Sequence, residues 1–214
     1  MTPSRDQGFP DFYALAPVIA LRDPLAELLG AAKGGLIEYG YTDVVRLAGH
    51  SCPTVAGAYL MALHGLRALY AGDMPVRGDV EVLMRDAAGS GVTGVMASVL
   101  QLVTGAAAEG GFPGAGSRGL FARKNLLVFD ASVDGLLGMR RRDTGKAVTV
   151  HFDNAVVPWP EEMRLLIAKV FAEQASREEQ ARFAQLWQER VRQMLLDRAD
   201  DPALVWVSDW PQAA

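Results

Sequence analysis

The sequence predicts an α+β fold: a mixed or antiparallel sheet flanked by helices, with a helical extension at the carboxyl end. Three observations predict it. Segments with helical apolar spacing are grouped with one another and do not alternate with strands, as a doubly wound sheet would require. Strand-like runs follow one another at 125–130, 136–141 and 146–152, the last two joined by the turn Asp143-Thr144-Gly145. Beyond Pro158 and Pro160 the pattern is helical again.

Along the chain, Asp23-Pro24 supplies a cap and a first-turn proline for a short helix carrying Leu25, Leu28 and Leu29 and ending near Gly34-Gly35. Leu36 to Tyr39 reads as a brief strand. Thr42 and Asp43 open a helical turn through Val44, Val45 and Leu47. From Pro53 to Tyr70, residues Val55, Tyr59, Ala62, Leu63, Leu66 and Tyr70 share one face, which predicts an amphipathic helix with His64 and Arg67 turned to water. Val80, Val82 and Met84 alternate as a half-buried strand does, and Val92 to Val103 forms a second apolar helix closed by Thr104-Gly105. The glycine-rich stretch 105–119 lacks the Gly-Lys-Ser/Thr ending of a phosphate loop and reads as a mobile loop.

The runs from Asn125, Leu136 and Lys146 predict an antiparallel meander. Glu161 to Gln174 and Ser176 to Ala199 are helical by pattern, the second opening with a Ser176/Glu179 capping box. The stripe of Phe183, Leu186, Trp187, Val191, Met194 and Leu195 has to pack on the domain or on another copy of the chain. Leu204 to Trp210 adds an edge strand. These elements divide the chain into an arm and helix at 1–34, an α+β domain at 35–157 and a helical extension at 158–214.

Composition limits the function. The 214 residues are 50% apolar and 21% charged, enough to bury a core and stay in water. A net charge of −4 provides no clustered basic face, so no nucleic-acid partner is expected. The apolar run from Phe12 to Leu21 is broken by Pro17 and is shorter than the ~20 residues a bilayer span needs, so no membrane partner is expected either. The run reads as a buried or partner-facing arm. The amino end lacks the features of a signal peptide, and a single cysteine excludes an internal disulfide, so the expected location is cytoplasmic.

That cysteine stands in Gly49-His50-Ser51-Cys52-Pro53, on the loop that enters the helix from Pro53. A proline at the first turn places the imidazole and the thiol at the helix's amino end, where free N–H groups and the helix dipole favour a thiolate. Such a pair either binds a soft metal or acts as a nucleophile with its base.

Gly49 to Pro53, followed by Ala56, Tyr59, Met61 and Ala62, resembles the Gly-His-x-Cys-Pro signature of the FmdE-like family of formylmethanofuran dehydrogenase components. Arg123-Lys124-Asn125-Leu126 and Asp143 to Val148 are similar to two later blocks of that family, in the same order. The resemblance covers roughly residues 35 to 155. It implies an α+β domain that dimerises, and a metal, zinc or another soft divalent ion such as nickel, with His50 and Cys52 as ligands. The family's further cysteine has no counterpart in Ser98 to Ala106, and this chain has no cysteine-rich tail.

Zinc takes three or four protein ligands. His151, followed by Asp153 on the same side of its strand, and Asp86, at the end of the preceding strand, are the candidates to complete the set. The expected assembly is a homodimer with a small-molecule ligand in its cleft. Two rival readings stay open: a thiol enzyme using Cys52 as nucleophile, and a metal-free dimeric scaffold.

Overall fold

The computed structural model describes residues 8–210; the reading of the amino end over residues 1–7 lies outside them. In chain order the elements are β1 (Ile19–Arg22), α1 (Pro24–Leu28), β2 (Leu36–Tyr39), α2 (Tyr41–Ala48), α3 (Pro53–Tyr70), β3 (Val80–Met84), α4 (Thr93–Thr104), β4 (Leu127–Val128), β5 (Leu137–Arg141), β6 (Ala147–Phe152), α5 (Glu161–Phe171), α6 (Arg177–Arg192) and β7 (Val205–Asp209). The five-stranded sheet runs β4-β3-β5-β6-β7, and β1 and β2 form a separate antiparallel pair. Helices and strands are segregated, which is the α+β class the pattern predicts.

The sheet is mixed because β4 pairs parallel with β3, while the other neighbours are antiparallel. This corrects the expected meander at one strand. Asn125 and Asp130 both have positive φ, 60° and 56°, so extended backbone is interrupted on each side and only Leu127–Val128 pairs. The chain then crosses to the far side of β3, and β3, not β4, pairs with β5.

The segment from Pro53 is less amphipathic than its spacing suggests. Elements pack around it on several sides: β6 and β7, α4, α2, and the turn that follows α6. Only Arg67 of α3 is exposed. The approach to the sheet uses glycines, since a Cβ on Gly57 would lie 2.4 Å from the Phe152 ring. His64 is not left in water either: its Nε2 donates to the carbonyl of Ala199 at 2.7 Å.

The Ser176/Glu179 capping box forms as predicted and starts α6. The predicted stripe packs on this chain, with Val191, Met194 and Leu195 in the main core and Leu186 joining Met163 and Leu166 in a smaller cluster. β7 takes the predicted edge position beside β6.

One buried carboxylate ties the amino-terminal layer to the rest. Asp23, 4% exposed, caps α1 through Leu25 N–H and accepts from Arg77 at 2.9 Å and Arg123 at 2.8 Å. Arg77 in turn donates to the carbonyls of Leu102 and Val103 at the end of α4.

Candidate functional site

Gly49 ends α2 in the left-handed region at φ 73°, a conformation glycine adopts without Cβ strain. This sharp exit turns His50 back over the helix it has left. His50 Nδ1 lies 2.9 Å from the carbonyl oxygen of Ala48, which can only accept. The proton therefore resides on Nδ1, and Nε2 keeps a free lone pair. That lone pair faces Cys52 Sγ at 3.4 Å. Cys52 is itself the cap of α3, where Sγ accepts from Val55 N–H at 3.5 Å. His50 is exposed and Cys52 partly so, which leaves the pair within reach of solvent.

The residue between them is fixed from three directions. Ser51 is buried, and its hydroxyl lies 2.9 Å from the hydroxyl of Tyr41. Burial raises the pKa of Tyr41 well above the phenolic range, so its proton stays in place. The Ser51 carbonyl accepts from Trp187 Nε1 at 3.0 Å and from Gln188 Nε2 at 3.4 Å, both on α6. Tyr13 then holds Gln188 through a 2.9 Å hydrogen bond to Oε1. No sequence signal gives these contacts: Trp187 reads as a residue that must pack somewhere, but its indole N–H meets a carbonyl 136 positions earlier.

Trp187→Phe keeps a ring in the cluster and removes the donor. It is expected to cost about 1 kcal/mol while raising the alkylation rate of Cys52 several-fold, because the loop between the two donors loosens. Urea unfolding and iodoacetamide kinetics on the same samples check both parts.

His50 and Cys52 are brought together, whereas His151 and Asp86 stand elsewhere. On β6, Val148 and Val150 enter the core that α3 shares, and Thr149 and His151 alternate to the outer face of the sheet. Asp86 pairs with Arg85, whose side chain lines a cavity of about 240 Å³ together with His151. Among the described residues, no three His, Cys, Asp or Glu side chains are grouped closely enough to hold a metal ion. The donors present nevertheless suit a soft metal. Zn–S of about 2.3 Å and Zn–N of about 2.0 Å at a tetrahedral angle place S and N about 3.5 Å apart, close to the 3.4 Å observed.

Fold and site together define an α+β protein with a solvent-reachable imidazole–thiol pair at the mouth of its central helix. The model of the family described as FmdE, molybdenum formylmethanofuran dehydrogenase operon, matches residues 47–201, and the chain belongs to this family. A search of curated proteins finds no match. No helix among the described residues is long and apolar enough to cross a membrane.

Proposed function

We propose that the protein binds a soft divalent metal, zinc or nickel, through His50 Nε2 and Cys52 Sγ, and serves an accessory role to a molybdenum enzyme of the kind the family's description names. The observation that carries this reading is the Nδ1–H bond to Ala48, because an imidazole whose other nitrogen donates to a backbone carbonyl is oriented as metal-ligating histidines are. Bound there, the metal supplies a Lewis-acidic centre with open positions.

The chain's own residues do the rest. His50 presents its lone pair, Cys52 gives up its thiol proton on binding, and Val55 N–H supports the resulting charge on sulfur. Two donors per chain leave coordination incomplete, so the remaining positions fall to water, to a small ligand, or to a second copy in a homodimer. A free thiol in this role belongs in a reducing compartment, the cytoplasm.

The test is metal content by elemental mass spectrometry on untagged protein, for wild type, Cys52→Ser and His50→Ala. Near-stoichiometric zinc or nickel that is lost in both variants is the expected result. Wild type that stays metal-free after incubation with each ion would sink the reading. The same neutral imidazole beside Sγ also suits a thiol nucleophile with His50 as base. Metal-free wild type whose alkylation slows at least tenfold in His50→Ala would favour that second reading.

A further inference from the structure

We propose that the outer face of the sheet carries a second, metal-independent site, in which Ser208 is a nucleophile and His151 its base, acting on small esters of uncharged or cationic alcohols. His151 Nε2 lies 3.1 Å from Ser208 Oγ, and Thr149 Oγ1 lies 2.9 Å from the same oxygen. Thr149, only 2% exposed, donates to Ser208, and Ser208 then has its own proton to give to His151. A chain of hydrogen bonds aligned this way polarises the middle hydroxyl. The imidazole is held in place by Trp206, stacked on it at a centroid separation of 4.7 Å and an interplanar angle of 6°.

Space for a substrate lies directly beside the hydroxyl. A cavity of about 450 Å³ is lined by Ser208, Thr149, Trp210, Val133, Asp134 and Asp209, and Asp134 also lines the smaller cavity that contains His151. This volume is within the range of small-ligand sites. Neither Asp134 nor Asp209 has an ion-pair partner among the described residues, so the cavity repels anions and admits neutral or cationic groups.

Register supplies a donor for the developing oxyanion. Trp210 N–H bonds the Ala147 carbonyl and Asp153 N–H bonds the Leu204 carbonyl, so Thr149 and Ser208, an even number of positions from both pairs, also form a hydrogen-bonded pair. The N–H of Asp209 therefore points away from β6 at the free edge of the sheet, one residue after the nucleophile. Ser208 itself lies beyond residues 47–201, so the family match does not account for it.

In the first step Ser208 Oγ bonds to the ester carbonyl carbon while its proton passes to His151 Nε2. The carbon–oxygen bond to the alcohol breaks, and the alcohol leaves with that proton. Water then attacks the acyl group on Ser208, giving one proton to Nε2, and Ser208 recovers it as the carboxylic acid departs.

An alkyl fluorophosphonate, which phosphonylates an activated serine with loss of fluoride, is the probe. Wild type is expected to gain one adduct that peptide mapping places on Ser208, and the adduct persists in Cys52→Ser. It disappears in Ser208→Ala. His151→Phe retains a ring against Trp206 but removes the base, and is expected to slow labelling by about 100-fold or more. Circular dichroism confirms that each variant is folded, and if Ser208→Ala is not, the wild-type map and His151→Phe decide. Absence of an adduct, an adduct at another residue, or equal rates in wild type and His151→Phe overturns the proposal.

Discussion

Asp23→Ala is expected to lower the free energy of unfolding by about 3–5 kcal/mol, enough to threaten the native state of a marginally stable domain. The carboxylate is almost fully buried and is shared by two guanidinium groups, one of them, on Arg123, with a side chain only 9% exposed. Removing the anion leaves a buried positive charge without its counter-ion, and also leaves the first N–H groups of α1 uncapped. Urea denaturation of wild type and variant at neutral pH measures the loss.

The same group gives a pH signature. Burial pushes the Asp23 carboxyl upward, but the hydrogen bond from Arg77 and the charges of Arg123 and Arg77 outweigh it, and the folded-state value lies below the ordinary carboxylate range. Because the folded value is the lower one, its contribution is present above the unfolded value of about 4 and is lost as pH falls through the depressed folded value. Asp23→Asn is expected to lack this part of the acid sensitivity.

Gly78→Ala is expected to be about as damaging, at roughly 3 kcal/mol or more. Residue 78 has φ 87°, where an L side chain carries a strain of about 1–3 kcal/mol, and an added Cβ would stand 1.2 Å from Nη1 of Arg123. The methyl group has to displace the guanidinium that Asp23 holds. Since both substitutions disrupt one ion cluster, Asp23→Ala combined with Gly78→Ala should cost clearly less than their sum. Equilibrium unfolding of the four proteins of this cycle tests it.

Most of the architecture is legible in the residues because local rules and tertiary packing agree. Asp23-Pro24, Pro53 and the Ser176/Glu179 box start helices where they predict, and the alternation of Val80, Val82 and Met84 is a strand with those three side chains buried. The failures come from backbone and environment. A strand from Asn125 to Asp130 is shortened by left-handed residues at both ends, a conformation that Asn and Asp tolerate but do not announce. The helix from Pro53 looks one-sided by spacing, yet its alanines and glycines are small enough to be buried on the other sides as well.

At the site, the His50–Cys52 contact is local and could be read directly. The outward turn of His151 depends on which face of β6 meets α3. Val148 and Val150 settle that face only once the sheet is built. The grip of Trp187 and Gln188 on Ser51 joins positions with no sequence relation at all.

That grip has a kinetic consequence. The Ser51 carbonyl waits for an indole 136 residues downstream, so the loop holding the imidazole and thiol leaves the ribosome long before α6 exists to fasten it. Contacts of such separation close late, after the loop entropy between them has been overcome. During synthesis the pair is therefore a floppy chelator, open to whichever ion or oxidant arrives first, and it acquires its geometry only when the final third of the chain docks.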